Sequence, residues 1–254
     1  MRFYLMTSYF SPHSRLNLAG YSIAVMTPQQ LVEVIASAIL YRHATNILFA
    51  NAHFVVKCQS LQRQLSQCNA IIVNDGIAVD IVAWILFRRR FPHNMNGTDF
   101  LPFLFDHLRK PGRFFLLGSR GDVVFSVASR LTAIGHTVVG LSDGYQAMHR
   151  SGPTLIHYMN ACQPDIILVA LGNPFQEQWI VNHRQVLNAP VLIGVGAFFD
   201  FYSQSLRRAP NWLRRCRLEW LYRLLGEPRR LCKRYTWDVL RFLRLSLWHQ
   251  KARK

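Results

Sequence analysis

Short apolar segments alternate with amphipathic helical segments along most of this chain, and this alternation constrains the fold more than any other feature. Residues 165–171 (DIILVAL) form the clearest buried strand, and the turn at 172–174 separates them from a helix over 175–186. Repeated strand-then-helix units predict an α/β fold with a Rossmann-like parallel sheet and crossover helices. Further strands are predicted over residues 18–25, 47–50, 70–73, 114–117, 136–141 and 191–195, and further helices over residues 29–41, 53–65, 77–88, 100–108, 122–134 and 154–162.

Residues 206–254 differ from the rest of the chain in charge. They carry 15 of the 30 lysines and arginines but only three acidic residues. Four tryptophans are interleaved with this charge: Trp212, Trp220, Trp237 and Trp248. A basic helical stretch rich in leucine and tryptophan is typical of a membrane-surface or polyanion-binding element. We therefore predict one α/β domain over residues 1–205 and a basic, amphipathic helical appendage over residues 206–254.

The bulk properties argue against several classes of protein. Half of the residues are hydrophobic and 17% are charged, which argues against global disorder. The most apolar stretch, residues 70–87, is interrupted by Asn74, Asp75 and Asp80, so a membrane-spanning helix is not expected. The first fifteen residues lack the features of a secretory signal, and the five cysteines form no CxxC pair. We expect a cytoplasmic protein with reduced thiols and no metal site.

The turns that follow the predicted strands are the candidate ligand sites, because open parallel sheets bind ligands beyond the carboxyl ends of their strands. These turns are at Asn51, 74–76, 118–119, 172–174 and 194–196. Gly118 and Gly172 each lie, with a small polar residue, ahead of a helix, where backbone N–H groups and the helix dipole favour a phosphate. Neither turn matches GxGxxG or GxxxxGKS/T, so a dinucleotide site or a P-loop is not supported. Alternatively, these glycines only form tight turns.

Asp75 is the most suggestive carboxylate, because it directly follows an apolar strand and precedes an apolar helix. It could deprotonate a sugar hydroxyl as a general base, but an Asx-turn or a helix N-cap explains Asp-Gly equally well. Asp80 is a candidate partner of Asp75, and Asp99 is interpreted as a helix N-cap. Gln176 and Glu177 lie in the first turn of their helix, where polar side chains can reach a ligand at the strand ends. Alternatively, Glu177 only stabilises the helix N-terminus, which leaves Gln176 unexplained. No DxD pair is present, so the usual acidic clamp for a metal–sugar-nucleotide complex is missing.

A series of short motifs follows the order of one family. The motifs are NAH at 51–53, NDGI at 74–77, GTD at 97–99, FLLGS at 115–119, DGY at 143–145, GNPFQE at 172–177, GVG at 194–196, RAP at 208–210, LEWLYRL at 218–224 and EPRR at 227–230. The chain closely resembles the WecG/TagA/CpsF glycosyltransferases over about residues 18–245. One such motif would be weak, but this many in order make the resemblance specific.

This resemblance implies an inverting, metal-independent transfer of a hexose, an N-acetylhexosamine or its uronic acid from a UDP-sugar, with no cofactor. The implied acceptor is a polyprenyl-diphosphate-linked sugar at the inner face of the cell membrane, in bacterial exopolysaccharide or other surface-polysaccharide synthesis. Asp75 matches the family's proposed catalytic base. The residues implied to bind substrate or UDP are Asn51, Asn74, Gly76, Thr98, Asp99, Gly118, Ser119, Asp143, Gly144, Tyr145, Gly172, Asn173, Pro174, Gln176, Glu177, Gly196, Arg208, Arg214 and Arg223.

The appendage is expected to supply positive charge to the departing diphosphate, because no DxD metal site is present. Its candidate arginines are Arg207, Arg208, Arg214, Arg217 and Arg223. We expect residues 205–230 to close over the site. Beyond them, four apolar residues share one helical face with basic residues beside it, which suits a helix lying in anionic headgroups. The apolar residues are Trp237, Leu240, Leu243 and Leu247, and the basic ones are Arg241, Arg244 and Lys251. Alternatively, this helix packs on the domain or on a second subunit, which leaves a homo-oligomer open.

Phe49 departs from the family pattern, since many members carry threonine two residues before the asparagine that matches Asn51. A hydroxyl contact to donor or acceptor is therefore absent or supplied elsewhere, and a plain hexose such as glucose fits as well as an N-acetylated sugar. Two other classes compete with the transferase. A nucleic-acid-binding protein is suggested by the pI near 10.5 but has no recognisable motif. A non-catalytic membrane-surface scaffold is disfavoured by the retained Asp75, Gln176 and Glu177.

Overall fold

The structure is a computed structural model that describes residues 15–144, 153–206, 208–215 and 218–251. Within these ranges one eight-stranded sheet has the order β1-β2-β4-β3-β8-β7-β5-β6. The strands are β1 (Arg15–Leu18), β2 (Tyr21–Ala24), β3 (Thr45–Ala50), β4 (Ala70–Asn74), β5 (Arg113–Gly118), β6 (Thr137–Ser142), β7 (Ile166–Ala170) and β8 (Val191–Gly194). β1 is antiparallel to β2, and the other neighbouring pairs are parallel, so β2 to β8 all end at one edge.

Helices cover both faces of this sheet and continue into the appendage. They are α1 (Pro28–Tyr41), α2 (Ala52–Lys57), α3 (Gln62–Gln67), α4 (Ile77–Phe87), α5 (Gly97–His107), α6 (Gly121–Ala133), α7 (Pro153–Ala161), α8 (Phe175–His183), α9 (Phe198–Tyr202), α10 (Asn211–Arg215), α11 (Glu219–Gly226), α12 (Pro228–Tyr235) and α13 (Trp237–Lys251). Helix α1 begins where the sequence predicts. Thr27 caps it by accepting from the Gln30 amide, the Gln30 side chain accepts from the Thr27 amide, and Pro28 occupies the first turn.

Alternate strand residues pack into two separate cores, one on each face of the sheet. In β3, Phe49 packs with residues of α1, α5, α6 and α9, whereas Leu48 packs with residues of α2, α4, α8 and α13. Neighbouring strands β3 and β8 are followed by α2 and α9, which therefore lie on opposite faces. Open α/β sheets form their ligand-binding crevice at such a reversal, so the crevice is expected between the carboxyl ends of β3 and β8.

The predicted Rossmann-like α/β fold with its parallel sheet is confirmed, and two segments differ from the prediction. Residues 18–25 belong to a hairpin rather than to one strand, because Ala19 and Gly20 have φ angles of 51° and 85° and reverse the chain. The helix predicted over residues 53–65 is interrupted after Lys57 by a 3-10 turn (Gln59–Leu61). There the Cys58 carbonyl accepts from the Tyr21 hydroxyl and from the Leu61 amide.

The last helix of the appendage packs on the α/β domain. Phe242 of α13 is fully buried in the core that contains Phe54 of α2. Nδ1 of His53 lies 2.6 Å from Oδ2 of Asp238, and Nε2 of Gln250 donates to the Leu86 carbonyl at 3.2 Å. One side of α13 therefore covers α2 and α4. In the part of the chain that the structure describes, no helix is both long and apolar enough to span a membrane.

Candidate active site

Asn51 and Asp75 follow neighbouring strands β3 and β4 and contact each other at the carboxyl edge. Nδ2 of Asn51 donates to Oδ2 of Asp75 at 2.9 Å, while Oδ1 of Asn51 accepts from the Phe54 amide and caps α2. The Asp75 amide donates to the Ala50 carbonyl at 2.8 Å, which extends the strand pairing by one residue. Asp75 is half-buried and does not cap α4, whose N-cap is Gly76. The carboxylate is therefore oriented by another side chain rather than by its own helix.

Gly76 and Asn74 hold the chain on both sides of Asp75. Gly76 has a φ of 85°, which favours glycine, and its amide donates to Oδ1 of Asn94 at 2.8 Å. Nδ2 of the buried Asn74 donates to the His93 carbonyl at 2.8 Å and to Oδ1 of Asp80 at 3.2 Å. Asp80 thus supports Asn74, the residue that precedes Asp75. These contacts keep the 74–76 turn in one conformation.

The electrostatic surroundings of Asp75 suit a proton acceptor. Burial raises the pKa of Asp75 above its ordinary value, and the hydrogen bond from Asn51 and the charges of Arg234 and Arg223 oppose this shift without cancelling it. Glu219 adds to the increase. A carboxylate whose pKa is raised is a stronger base than an ordinary aspartate.

Gln176 links the ends of β7 and β8. Its Oε1 accepts from the Gly196 amide at 2.9 Å, and its Nε2 donates to Oε1 of Glu177 at 2.6 Å. Gly172 and Gly196 have φ angles of 75° and 55°, and the Asn173–Pro174 peptide bond is cis. Nδ2 of Asn173 also donates to Oε1 of Glu177, at 2.7 Å. Four of the predicted residues, Asn173, Gln176, Glu177 and Gly196, therefore form one hydrogen-bonded group.

Glu177 itself is completely buried and faces away from the crevice, toward α2. Oε2 of Glu177 lies 3.5 Å from Sγ of Cys58. Burial raises the pKa of Glu177 to about 7, and it also raises the pKa of Cys58. The resemblance implies that Gln176 and Glu177 both contact sugar or nucleotide. In the structure Glu177 can act on the site only through Asn173 and Gln176.

The ends of β5 and β6 form the opposite side of the crevice. A Cβ atom on Gly118, which has a φ of 114°, would collide with the Ala170 carbonyl of β7. The Ser119 hydroxyl donates to Oδ1 of Asp200 on α9 at 3.1 Å, and the Ser119 carbonyl accepts from the Gly144 amide at 2.8 Å. Asp143 follows the last residue of β6 and precedes Gly144, which bonds to this turn. Tyr145 lies outside the described residues. Asp200 is a polar neighbour of this turn that is not among the residues predicted from the sequence.

Arg208 connects the appendage to the start of α5. Its Nη1 donates to Oδ1 of Asp99 at 2.8 Å and to the Thr98 carbonyl at 3.4 Å, and its Nη2 donates to Oε2 of Glu219 at 3.3 Å. Arg214 lies 3.4 Å from the same Asp99 oxygen. These arginines hold the pKa of Asp99 below its ordinary value despite partial burial. Asp99 is the third residue of α5, and the interpretation of Asp99 as N-cap is wrong because Asn96 takes that position.

Arg223 and Arg234 are the described appendage arginines that influence Asp75 directly. Arg223 also stacks over the Phe201 ring of α9, with its Cζ 5.0 Å from the ring centre. Arg223 is among the arginines predicted from the sequence and Arg234 is not, while Arg207 and Arg217 lie outside the described residues. The described residues contain no cluster of three His, Cys, Asp or Glu side chains suited to a metal ion.

Fold and site together define an α/β protein with an oriented carboxylate at the ends of parallel strands, under a basic helical segment. Comparison with known proteins gives this class a family. The sequence pattern of the Glycosyl transferase WecG/TagA/CpsF family matches residues 16–254, and the chain belongs to this family.

Two curated relatives carry the same name, N-acetylglucosaminyldiphosphoundecaprenol N-acetyl-beta-D-mannosaminyltransferase. The protein from Bacillus subtilis (strain 168) is 37% identical over 168 residues, which cover 65% of this chain and 63% of the relative. The protein from Bacillus spizizenii is 32% identical over 184 residues, which cover 71% of this chain and 69% of the relative. The match thus spans about two thirds of the length of each relative.

Proposed function

We propose that this protein is an inverting, metal-independent glycosyltransferase that moves a sugar from a UDP-sugar to a polyprenyl-diphosphate-linked sugar. The observation that carries this proposal is the Asp75 carboxylate, held by Asn51 at the crevice with a raised pKa and two arginines near it. Membership of the family supports the reaction class. The names of the two relatives support a lipid-diphosphate-linked acceptor.

In the proposed reaction Asp75 is the general base. An acceptor hydroxyl donates its proton to a carboxylate oxygen of Asp75 as the hydroxyl oxygen attacks the anomeric carbon of the donor. The bond from that carbon to the diphosphate breaks on the opposite face, and UDP leaves with the electron pair, which inverts the anomeric configuration. The hydrogen bond from Asn51 leaves the other oxygen of Asp75 free to take the proton.

The leaving diphosphate requires positive charge, and the appendage is its proposed source. Arg223 and Arg234 lie close enough to Asp75 to lower its pKa, so they can also act on a negatively charged group in the crevice. Arg208 is already paired with Asp99 and Glu219, so we assign it to holding the appendage closed over the site. Backbone N–H groups of the strand-end turns at Gly118 and Gly172 are the remaining candidates for phosphate binding.

For the donor sugar, we propose N-acetylmannosamine first, since both relatives are named for its transfer. A plain hexose is the second candidate because of Phe49. Phenylalanine has no hydroxyl to offer a substrate. The Phe49 ring is buried, and its centre lies 5.9 Å from the centre of the Phe100 ring. The enzyme is proposed to work at the inner face of the cell membrane, where its lipid-linked acceptor is held.

The experiment that tests this function is a turnover assay with a panel of UDP-sugars and an undecaprenyl-diphosphate-linked N-acetylglucosamine acceptor. Wild-type protein should release UDP and extend the lipid with at least one donor, whereas Asp75→Asn should not. Asp106→Asn is the matched control, because Asp106 is an exposed carboxylate in the last turn of α5. Absence of turnover with every donor, or full turnover by Asp75→Asn, would contradict the proposal.

A further inference from the structure

Helix α4 carries an apolar row on its outer side, in addition to the residues that it buries in the core. Val79, Val82 and Ala83 are buried, but Ile81, Trp84 and Ile85 remain 48%, 44% and 43% exposed. The spacing i, i+3, i+4 places these three side chains next to one another on one helical face. A contiguous exposed row of large apolar residues marks an interaction surface more often than chance exposure does.

Exposed arginines adjoin this apolar row. Arg88, Arg89 and Arg90 follow directly at the end of α4 and are all exposed. The guanidinium of Arg88 stacks over the Trp84 ring, with its Cζ 4.9 Å from the ring centre. Tryptophan beside arginine is the combination that prefers the boundary between headgroups and acyl chains of a bilayer.

Helix α13 extends the same surface. Gln250 bonds to the Leu86 carbonyl, and both helices contribute to the core on one face of the sheet, so their outer sides both point away from that face. The outer side of α13 exposes Trp237, Leu240, Leu247 and Trp248 beside Arg241, Arg244 and Lys251. Both helices begin near the carboxyl edge of the sheet. Helix α4 starts two residues after Asp75, and Asp238 in the first turn of α13 contacts His53 at the start of α2.

We propose that α4 and α13 together form a docking surface for an anionic lipid bilayer, with Ile81, Trp84 and Ile85 entering the headgroup region. This inference rests on the proposed function, in which the acceptor is a membrane lipid. Charge distinguishes the bilayer from a second copy of the chain. The acidic residues of these helices, Asp80 and Asp238, are both buried. Two copies meeting through this surface would bring arginines together, whereas anionic headgroups complement them.

Vesicle flotation tests this surface with full-length protein and vesicles of phosphatidylcholine with or without 30% phosphatidylglycerol (about a third, an anionic fraction that attracts basic segments). The triple variant Ile81→Ser/Trp84→Ser/Ile85→Ser should partition into vesicles at least about tenfold less than wild type, because α4 then has no large apolar side chain on its outer side to bury in the bilayer. The variant Arg88→Gln/Arg89→Gln/Arg90→Gln should lose binding to anionic vesicles selectively. Leu40→Ser/Tyr41→Ser is the matched control, since both residues are exposed at the end of α1. Unchanged flotation of both α4 variants overturns the proposal.

Two further measurements distinguish a bilayer from a second copy of the chain as the occupant of this surface. Brominated lipids should quench the tryptophan fluorescence of wild-type protein more than that of Trp84→Phe, which retains an apolar side chain and should still float. If the triple variant instead converts a dimer into a monomer in vesicle-free light scattering, the surface belongs to a second copy. With a water-soluble acceptor the triple variant should turn over like wild type, so loss of flotation with intact turnover supports the docking surface independently of the transferase chemistry.

Discussion

The side-chain nitrogen of Asn51 donates to the Asp75 carboxylate at 2.9 Å, and the side-chain oxygen of Asn51 caps helix α2. One residue thus performs two tasks, orienting the proposed base and starting the helix behind it. The two tasks use different atoms, so substitutions can separate them.

Asn51→Ser and Asn51→Ala should both lower turnover, but only Asn51→Ala should lower stability. Serine still caps α2, whereas alanine loses the cap at a cost of about 1 kcal/mol in the free energy of unfolding. Because the hydrogen bond from Asn51 lowers the pKa of Asp75, both variants should shift the acid limb of the pH–rate profile to higher pH. Urea unfolding and pH–rate profiles check this, and an unshifted acid limb would show that Asp75 does not act as the base.

Asp75→Asn should lower kcat by roughly 10²- to 10⁴-fold, the usual contribution of a general base.

The same substitution should not lower stability at high pH, whereas the loss of a typical ion pair would lower it. The folded-state pKa of Asp75 is raised, so the ionised form is disfavoured on folding, and stability falls as the pH rises through that value. The melting temperature of Asp75→Asn at pH 8 should therefore equal or exceed that of wild type. A clearly lower value would contradict the raised pKa.

Much of the fold could be predicted from the sequence because local patterns determine it. The apolar strand 165–171, the Thr27-Pro28 helix start and the Asn-Asp-Gly turn at 74–76 each carry their own signal, and the structure has a strand, a capped helix and a turn there. These features depend on near neighbours in sequence, which is what periodicity and turn chemistry report.

The details of the site depend on contacts that no local pattern contains. His53 and Asp238 are 185 positions apart, and Arg234 influences Asp75 from the appendage. Glu177 occupies a helix N-terminus in a way that suggests an accessible ligand contact, yet the packing of α2 encloses it completely. Tertiary packing determines which side of a helical turn faces the crevice. The sequence pattern of α8 does not indicate that direction.

Glu177 should make stability depend on pH near neutrality. Its folded-state pKa of about 7 exceeds the ordinary value of 4.5, so the folded protein binds this proton more tightly than the unfolded chain. This contribution to stability is fully present below about pH 4.5 and is lost as the pH rises through about 7. Glu177→Gln removes the titration, so the difference in unfolding free energy between wild type and variant should change across that window. A constant difference from pH 5 to pH 8 would show that Glu177 does not titrate there.

Phe49→Thr should change donor preference and should also destabilise the fold. Phe49 packs on Phe100, and a Cβ on Gly97 would lie only 3.3 Å from the Phe49 ring, so removing the ring opens space beside the crevice. Loss of a buried phenylalanine costs about 3–5 kcal/mol when it leaves a cavity, so the assay should be run well below the melting temperature. Competition between UDP-sugars should show a changed ratio of kcat/KM for N-acetylated over plain donors. An unchanged ratio would show that position 49 does not contribute to donor choice.

Arg223→Ala and Arg234→Ala should each lower kcat, and turnover by wild type should persist in excess EDTA. Both arginines are proposed to stabilise the departing diphosphate, and removing one charge from a desolvated site costs roughly tenfold or more in rate. Because both charges also lower the pKa of Asp75, each variant should move the acid limb of the pH–rate profile upward. Arg63→Ala is the control, since Arg63 is exposed on α3, away from the carboxyl edge. A strict requirement for a divalent metal, with normal turnover in both arginine variants, would assign stabilisation of the leaving group to the metal instead.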